Sequence, residues 1–405
     1  MQKMCRSVIG VAAILVVAGC AVVPTISPTV AADPPSPAPV APAASLPASA
    51  SPTLDPSPTP PAIEQATGRY LFFGDIFFGR YIDDWSMASP LKYAYPFQNL
   101  GQFQPDNYDA WVANFECPAV DGLAKDSAEM NRTLVFNCDP GYLPEVAQWF
   151  SAVDLGNNHT DNQGQDGLAA TRAALAAHGI QYFGSPDPEQ GPNCDVVVLP
   201  VTASLADGTT SQYPIPLGFC GYNGVFTTTT PDQVAEVTAF SALLPTIAWP
   251  HSGAEYQPGP DQIKTTLYRS MIDAGADMVI GNHAHWIQST EAYKGKLIVY
   301  SMGNFIFDQQ ATPEKTRSAI IDVTASVDDV TQLAAWSAIA AACEHDFARC
   351  TQLAAQAGLT RLHLSYTYDV HGSNDADKLV KPATPAELAS IKQRLGWDAT
   401  LQALG

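Results

Sequence analysis

The amino-acid sequence predicts an α/β fold with layered sheets, and three observations support this prediction. Short β-rich runs alternate with helical stretches from residue 67 onward. Several of these runs are almost continuously apolar, which is typical of strands covered on both faces. Polar clusters follow many of the runs directly, as expected where ligand-binding loops follow the strands of an α/β sheet.

The individual elements are predicted from apolar periodicity and turn signals. Strands are expected at residues 69–73, 110–115, 152–155, 195–199, 216–220, 246–249, 278–280, 297–300, 318–327 and 360–370. Helices are expected at residues 164–178, 261–274, 333–343 and 385–395. In the second helix, Ile263, Leu267 and Met271 share one face, and Gly275 follows as the expected C-terminal glycine.

The first residues have the layout of an export signal. Lys3 and Arg6 precede an apolar run over residues 8–18, which is too short for an ordinary transmembrane helix. The run ends in Val-Ala-Gly-Cys, which resembles a bacterial lipobox and predicts a signal peptide over residues 1–19 with lipid attached at Cys20. The alternative is that Cys20 is an incidental cysteine in a plain signal peptide.

A tether is predicted to follow over residues 20–66, and one globular domain over residues 67–405. Thirteen of the 33 prolines lie between Ala21 and Pro61, among Ala, Ser and Thr and without any Lys or Arg. Such a composition cannot bury a core and favours an extended, semi-rigid linker.

The charge balance limits the partners. Asp and Glu number 40 against 20 Lys and Arg, which gives a formal charge of −20. This field repels a phosphate backbone, so nucleic acid is not an expected partner. It also repels an anionic polymer, which would have to be held by local positive charge, with metal ions as the first candidates.

The cysteines support export. Without Cys5 and Cys20, six remain, and an even number in an exported protein suggests disulfides. Neighbours in sequence suggest the pairs Cys117–Cys138, Cys194–Cys220 and Cys343–Cys350. Fifteen connectivities are possible for six cysteines, and buried free thiols are the alternative. The sequence contains no Cys-x-x-Cys spacing of the kind that binds structural zinc.

The first polar clusters contain acidic residues at strand ends. Asp75 follows a predicted strand and is a suitable hard ligand for a divalent metal, although a turn or a helix cap is the common role of such an aspartate. Arg80 could meet an anionic substrate or pair with a structural acid. Glu116 ends the next strand and could bridge two metals, or it could be an exposed loop glutamate.

The remaining clusters contain amides and imidazoles. Asn157, Asn158 and His159 follow one strand, although Asn is also common in plain turns. His251 lies just past another strand. In an extended chain, the i, i+2 spacing of His283 and His285 would point both rings the same way, as metal pairs require. Asn304 follows a strand and a glycine turn, and a plain strand exit is the alternative there.

Together, these strand ends predict a metal site that no single cluster predicts. The donors are oxygen and nitrogen without sulfur, which favours Mn, Fe, Zn or Mg. Two adjacent ions could activate a hydroxide or support displacement at phosphorus, so hydrolysis is the inferred chemistry. No Gly-x-Ser-x-Gly motif or Cys–His pair indicates a Ser or Cys nucleophile.

The ordered motifs resemble those of the CapA family of bacterial capsule synthesis and poly-γ-glutamate biosynthesis proteins. The resemblance is strong over residues 70–308 and weaker beyond. The motifs are Gly-Asp-x-x-x-x-Arg at 74–80, Asn-Phe-Glu at 114–116, Asn-Asn-His at 157–159, the segment 251–255, Gly-Asn-His-Ala-His at 281–285 and Tyr-Ser-Met-Gly-Asn-Phe at 300–305.

The resemblance implies a metallophosphatase-like four-layer β-sandwich flanked by helices. It also implies roles for the site residues. Asp75 and His285 would hold one metal, Glu116 would bridge, and Asn158, His251 and His283 would hold the second. His159 would stabilise charge on the substrate or protonate a leaving group. The expected substrate-binding residues are Arg80, Asn157 and Asn304.

Two departures from the family pattern concern this site. Phe77 stands where metallophosphatases carry a histidine ligand, which would leave the first metal short of one ligand. Asn162 stands where the family usually has an aspartate, and Asp161 precedes it.

The implied function is that of a cell-surface lipoprotein, anchored by lipid on Cys20, that takes part in capsule or poly-γ-glutamate synthesis or anchoring as a metal-dependent hydrolase. Its expected partners are the membrane and an anionic surface polymer or the capsule machinery. The alternative is a non-catalytic polymer-handling subunit with a vestigial or structural metal site.

Overall fold

A computed structural model describes residues 61–123, 126–225 and 227–405. The predicted signal peptide, the lipid site at Cys20 and residues 20–60 of the predicted tether lie outside these residues. The strands are β1 (Ile63–Ile76), β2 (Ala110–Phe115), β3 (Ala152–Asp154), β4 (Gln181–Phe183), β5 (Cys194–Leu205), β6 (Thr210–Gly224), β7 (Thr246–Ser252), β8 (Met278–Ile280), β9 (Thr290–Tyr293), β10 (Lys296–Val299), β11 (Asn304–Ile306), β12 (Arg317–Val327), β13 (Leu364–Asn374) and β14 (Lys381–Pro382).

The helices connect these strands. They are α1 (Arg80–Ala88), α2 (Ser127–Thr133), α3 (Leu143–Trp149), α4 (Gly164–Ala177), α5 (Pro231–Ser241), α6 (Gln262–Asp273), α7 (Leu333–Cys343), α8 (Phe347–Gln356), α9 (Pro385–Leu395) and α10 (Trp397–Leu404). Short 3₁₀ helices span Lys92–Phe97, Leu100–Phe103, Pro105–Asn107, Pro140–Tyr142, Pro188–Gln190 and Val330–Gln332.

The long strand β1 belongs to both halves of one mixed 14-stranded sheet. Along one edge, it pairs antiparallel with β5 through residues 63–67 and then parallel with β2 through residues 70–76. Along its other edge it pairs with β12 and β11. One half of the sheet therefore has the order β4-β3-β2-β1-β12-β13-β14, and the other has the order β5-β6-β7-β8-β10-β9.

The two halves pack face to face through aromatic side chains. The ring of Phe72 in β1 lies 5.1 Å from that of Trp249 in β7, and Phe183 in β4 lies 4.9 Å from Phe219 in β6. Helices α1, α3 and α4 cover the outer face of the first half, and α5, α6 and α7 cover that of the second. The result is the helix–sheet–sheet–helix layering expected for the α/β class, which is confirmed.

Most predicted elements are confirmed, although strands β1, β5 and β6 extend up to six residues beyond their predicted ends. Strands β2 and β8 and helices α7 and α9 have the predicted bounds, whereas β13 begins four residues later than expected. Strand β1 begins before the expected domain start at residue 67.

The predicted buried face of α6 is wrong by about one residue. Met271 is buried as predicted, but Ile263 is 78% exposed and Leu267 is half-buried, and Lys264 and Tyr268 are buried in their place. The reason is polar packing under the second half of the sheet. There, the Tyr268 hydroxyl donates to the Pro250 carbonyl and Lys264 Nζ donates to the Asn282 carbonyl.

The three predicted disulfides are confirmed. The structure joins Cys117 to Cys138, Cys194 to Cys220, and Cys343 to Cys350. Among the residues that the structure describes, no helix combines the length and the apolar character needed to cross a bilayer.

Candidate metal centre

Six predicted ligands meet where the carboxyl ends of parallel strands from both halves of the sheet come together. Parallel pairing aligns the ends of β1, β2 and β3 in one half and of β7 and β8 in the other. The ligands are Asp75 in β1, Glu116 directly after β2, Asn158 after β3, His251 in β7, and His283 and His285 after β8.

Glu116, His251 and His283 form one buried group of candidate ligands, each offering an atom within 4.8 Å of the others. Nε2 of His251 lies 3.1 Å from Nδ1 of His283 and 3.7 Å from Oε1 of Glu116. Oδ1 of Asn158 lies 2.9 Å from the same nitrogen, so this amide joins the group.

A second buried group consists of Asp75, Glu116 and His285. Nδ1 of His285 lies 3.4 Å from Oδ2 of Asp75, and its Nε2 lies 3.8 Å from Oε1 of Glu116. Glu116 therefore belongs to both groups. This is the division that the family resemblance implies for two metals with one bridging carboxylate.

A β-bulge at Gly74 directs Asp75 toward the centre. Phe73 pairs with Ala113 and Asp75 with Asn114, so Gly74 is the extra residue in β1. Since side chains alternate along a strand, this extra residue brings Asp75 to the face on which Asn114 lies. Nδ2 of Asn114 donates to Oδ1 of Asp75 over 2.8 Å and lies 3.2 Å from Nδ1 of His251.

The predicted extended geometry of His283 and His285 is wrong. Both residues have left-handed backbone conformations, with φ of 82° and 53°. Non-glycine residues seldom adopt this region, and such residues cluster at functional sites. The two rings reach the centre because the loop after β8 curls, and their centroids lie 6.1 Å apart.

Burial sets the protonation of the imidazoles. It lowers the pKa of His251 and of His283 well below the ordinary value, so both rings are neutral, the form that binds metals. Burial also opposes the charged form of His285, but the carboxylates of Glu116 and Asp75 outweigh it and raise the pKa to about 9. Burial, followed by the charge of Asp75, raises the pKa of Glu116 well above its usual range.

These residues fit a divalent metal. Oδ2 of Asp75 and both carboxylate oxygens of Glu116 are buried without a hydrogen-bond partner. A bound cation would satisfy these oxygens and displace the proton that the raised pKa of Glu116 favours. Donor atoms about 2.1 Å from one tetrahedral ion lie roughly 3.4 Å apart, and the distances of 2.9 to 3.7 Å around Nε2 of His251 are close to this.

Phe77 contributes no ligand. Its ring is fully buried and packs 4.9 Å from Phe136 and 5.1 Å from Phe307. The group around Asp75 therefore has one donor fewer than the metallophosphatase pattern, as the sequence predicts.

His159 lies beside the centre. Oδ1 of Asn162 accepts from the Phe136 backbone N–H over 2.9 Å and lies 3.0 Å from Nδ1 of His159, so Nδ1 carries the proton that this bond needs. Burial lowers the pKa of His159 to about 4. Asn162 thus orients this ring at the position where the family usually has an aspartate.

Two residues expected to bind substrate are held by hydrogen bonds within the protein. Asn157 donates to Asn114 and to the Phe115 carbonyl, and its oxygen accepts from His159 and Thr160. An amide has no further capacity for a substrate after these bonds. Oδ1 of Asn304 lies 2.7 Å from Nδ1 of His285 and its Nδ2 donates to the Lys315 carbonyl, so it orients the histidine.

Arg80 pairs with a structural acid, which is the second of its two predicted alternatives. Its buried guanidinium pairs with Asp308 at 2.6 Å and lies 4.7 Å from the centre of the Phe136 ring. The side chain also lines a cleft of about 370 Å³ that opens onto the centre, so a substrate contact for Arg80 stays a prediction.

Some residues near the centre were not predicted. Asn114, Glu255 and Lys315 received no role, although the first two lie inside the quoted motifs. Glu255 lines the cleft with Lys315 and His159, and its Oε1 lies 4.0 Å from Nε2 of His285. The signal for Asn114 was its place beside Glu116 in a strand that is otherwise apolar.

A sequence model of one family, described as bacterial capsule synthesis protein PGA_cap, matches residues 69–203 and 223–309. The chain is 25% identical over 257 residues to the capsule biosynthesis protein CapA of Bacillus anthracis, covering 61% of each chain. It is 27% identical over 267 residues to the PGA biosynthesis protein CapA of Bacillus subtilis, covering 62% of this chain and 65% of that protein. The chain thus spans less than two thirds of the length of these relatives.

Two solved structures are similar at low identity. A hypothetical protein from Thermus thermophilus is 14% identical with a TM-score of 0.35, covering 75% of this chain and 99% of that one. A 5'-nucleotidase from Candida albicans is 8% identical with a TM-score of 0.32, covering 72% of this chain and 57% of that one. The family match includes all six candidate ligands.

Proposed function

The chain belongs to the PGA_cap family of bacterial capsule synthesis proteins, and we propose that it is a metal-dependent hydrolase that takes part in capsule or poly-γ-glutamate synthesis or anchoring. The observation that carries this proposal is the pair of buried ligand groups that share Glu116. A shared carboxylate between two sets of imidazole and oxygen donors suits a two-metal site.

The metals are proposed to be two divalent ions, Mn, Fe, Zn or Mg. Such a pair supplies Lewis acidity and a water of lowered pKa. The chain's own contribution is to hold the donors in place before any substrate arrives. Neutral His251 and His283 offer nitrogen lone pairs, and Asn114 and Asn304 hold their neighbours Asp75 and His285 by hydrogen bonds.

His159 is the proposed acid–base residue. With its Nδ1 proton committed to Asn162 and its pKa lowered to about 4, the ring is neutral near pH 7 and its Nε2 accepts hydrogen bonds. An anionic group in the cleft would favour the charged ring and raise that pKa. The ring could then take up a proton from water at Nε2 and donate it to a leaving group.

The substrate is proposed to be an anionic surface polymer or a phosphate ester. The net charge of −20 would repel either, so local cations must hold it. Lys315 and Arg80 line the cleft together with the candidate ligands Glu116 and His285. Metal ions at the centre would add positive charge at the same place.

The alternative function is a non-catalytic polymer-handling subunit. Phe77 favours it, because the missing histidine leaves the Asp75 group with fewer donors. A weakly held first ion could support binding of an anionic chain without efficient hydrolysis.

We further propose that the protein works outside the cytoplasm as a membrane-anchored lipoprotein with lipid on Cys20. Three disulfides support an oxidising compartment, since such bonds are rare in the cytosol. The capsule-synthesis family also fits a role at the cell surface.

The test is hydrolysis by the purified, metal-loaded protein of phosphodiesters and of poly-γ-glutamate. The His283→Ala and His285→Ala variants are expected to lose at least about a hundredfold in rate, because each removes a proposed ligand. His363→Ala, at an exposed position away from the centre, is the matched control. Equal rates in all four proteins would sink the hydrolase proposal. Normal capsule in strains carrying either ligand variant would also remove the alternative, if that role depends on the metal site.

A further inference from the structure

A second cavity, of about 340 Å³, lies between helix α9 and the segment before β12. Two arginines line it, Arg317 at the start of β12 and Arg394 near the end of α9. The cavity is also lined by Ser390, Glu314 and Ile287. None of these residues belongs to the metal centre.

Both guanidinium groups have hydrogen-bonding capacity left over. Arg394 donates through Nε to the Ile287 carbonyl over 2.6 Å, but its buried Nη2 has no partner. The buried Nε of Arg317 has no partner either. Within the described residues, neither arginine has a carboxylate within 4.0 Å.

The acids nearby do not neutralise these two cations. Glu314 lines the cavity and forms no ion pair with any residue that the structure describes, and Glu387 interacts with Arg317 only at longer range. Oε2 of Glu387 is used by the N-terminus of its own helix, where it accepts from the Thr384 backbone N–H and hydroxyl. Although the chain has twice as many acids as bases, one cavity thus contains two arginines without a carboxylate partner among the described residues.

The two guanidinium groups favour an oxyanion as the ligand of this cavity. Buried N–H groups without partners cost free energy, and two guanidinium groups in one cavity repel each other. A carboxylate would relieve both costs, because its two oxygens match the fork of donors on arginine. A metal cation or an ammonium group would be repelled.

The arginine cavity adjoins the metal cleft along two segments of chain. His285 lines the cleft, and Ile287, two residues later, lines the arginine cavity. Likewise, Lys315 lines the cleft and Arg317 lines the arginine cavity. A linear ligand that lies in the cleft would therefore need to cross only these short segments to reach the arginines.

We propose that the arginine cavity is a second subsite for an anionic polymer, and that Arg317 and Arg394 hold the free carboxylate of a unit beyond those in the metal cleft. This inference rests on the proposed function, since it takes the polymer to be the ligand of the cleft. It adds a positioning role for residues that no motif includes.

The test measures binding of γ-linked glutamate oligomers of increasing length to the metal-loaded protein by calorimetry at low salt. Affinity in the unmodified protein is expected to rise once the oligomer spans both cavities. Arg317→Gln should bind the long oligomer about tenfold more weakly, because one charge-assisted contact is lost. Its affinity for the shortest oligomer should be unchanged. Arg349→Gln, at an exposed position of α8, is the matched control.

A second variant keeps both arginines. Ser390 is exposed on α9 and lines the cavity, so Ser390→Glu would place a carboxylate against the guanidinium groups and exclude the polymer. It is expected to weaken binding of the long oligomer as Arg317→Gln does, whereas Ser390→Gln should bind as the unmodified protein does.

Two results would overturn the subsite alone, and a third would overturn it together with the proposed polymer substrate. One is equal affinity of Arg317→Gln, Ser390→Glu and unmodified protein for the long oligomer. The other is binding of inorganic phosphate or free glutamate as tight as that of the oligomer and dependent on Arg317, which would indicate a small-anion site. If no oligomer bound the unmodified protein, both the proposed polymer substrate and the proposed subsite would be contradicted. Oligomer binding without any dependence on Arg317 would remove the subsite alone.

Discussion

At the scale of single residues, Glu116 is the group on which the candidate centre depends. It is buried, it belongs to both ligand groups, and neither of its oxygens has a hydrogen-bond partner among the residues that the structure describes. An unpaired carboxylate in such a place is costly unless a cation or a proton joins it. The surrounding amides of Asn114, Asn158 and Asn304 hold the other donors in position around it.

The first residue-scale prediction concerns Gly74. A Cβ at this position would lie 1.8 Å from the carbonyl oxygen of Gly303, so the bulge that directs Asp75 cannot accept alanine without moving backbone. Gly74→Ala is expected to lower the free energy of unfolding by about 3 kcal/mol and to weaken metal binding. Urea unfolding and metal titration measure the two effects. Gly101→Ala, where a Cβ meets nothing within 4 Å, should change neither.

The second prediction concerns Asn304. Its Oδ1 lies 2.7 Å from Nδ1 of His285 and fixes the orientation of the ring. Asn304→Ala is expected to weaken metal binding by roughly 10- to 100-fold, the usual effect of losing such a partner. Asn304→Asp, which keeps the acceptor, should retain most of the affinity. If the alanine variant bound metal as tightly as the unmodified protein, Asn304 would have no orienting role.

Residue types and positions predicted the members of the centre better than their roles. The ligands could be found because each metal-competent side chain follows a strand, and strand ends converge. Asn157 and Asn304 were assigned to substrate because an amide after a strand can serve either a ligand or the protein. Only the hydrogen bonds around them decide, and those depend on residues far apart in the chain.

At the scale of elements, the loops after β2 and β8 carry three of the six candidate ligands, Glu116, His283 and His285. Cys117 immediately follows Glu116 and is joined to Cys138, whose Sγ also accepts from the Phe78 backbone N–H at 3.1 Å. This bond fixes the chain that leaves β2 next to the shared carboxylate.

The third prediction compares two disulfides. The closed segment is 21 residues for Cys117–Cys138 and 7 residues for Cys343–Cys350. Replacing both cysteines of the first pair with serine is expected to cost about 3 kcal/mol of stability, and the second pair about 2 kcal/mol, since loop entropy grows with length. Only the first change should also weaken metal binding. Equal metal affinity in both double variants would show that the Cys117–Cys138 disulfide does not support metal binding.

Elements with a distinct apolar or helical pattern were predictable, and four short strands without such a pattern were not. Strand β2 is apolar except for Asn114, β8 is a continuous apolar run, and helices α7 and α9 have clear bounds. The strands β4, β9, β11 and β14 have only two to four residues each. Such strands form because neighbouring strands offer free edges, which is tertiary information that no local pattern contains.

The curled loop after β8 illustrates the same limit within the site. An i, i+2 pair of histidines suggested an extended chain, but both residues have positive φ. The loop is held by long-range contacts, including the bond from Arg394 to the Ile287 carbonyl. The convergence of His283 and His285 was predictable, whereas the backbone that produces it was not.

At the scale of the whole molecule, the face-to-face packing of the two half-sheets brings the ligands together. Asp75, Glu116 and Asn158 come from one half, and His251, His283 and His285 from the other. The sequence predicted the layered α/β class but not that β1 is shared, because residues 63–67 are mostly polar and do not read as a strand. That shared strand joins the two halves of the sheet.

The fourth prediction is a pH dependence of overall stability. His345 stacks on Tyr182 and pairs with Asp195 at 2.8 Å, and the hydrogen bond to Asp195 raises the pKa of His345 above its usual value of 6.5. A raised folded-state pKa stabilises the fold fully below the unfolded value, and the effect is lost as pH rises through the folded value. The contribution should be under about 1 kcal/mol, since the pair is partly exposed.

The measurement is the melting temperature of the unmodified protein and of His345→Gln from about pH 5.5 to a pH above the folded-state pKa of His345. At the lowest pH, the unmodified protein should melt at a higher temperature than His345→Gln. The difference between the two melting temperatures should shrink as the pH rises above the folded-state pKa. A difference that grew with pH would reverse the assigned sign.

The fifth prediction tests the central claim, which is that Glu116 joins two metal sites. Titration with Mn²⁺ or Zn²⁺, with the bound metal counted by mass spectrometry, is expected to give two ions per chain for the unmodified protein. His283→Ala and His285→Ala should each retain one, Glu116→Gln should retain neither tightly, and the control His363→Ala should retain two. The claim would be contradicted by an unmodified chain that binds no ion, or by ligand variants that bind as many ions as the unmodified chain.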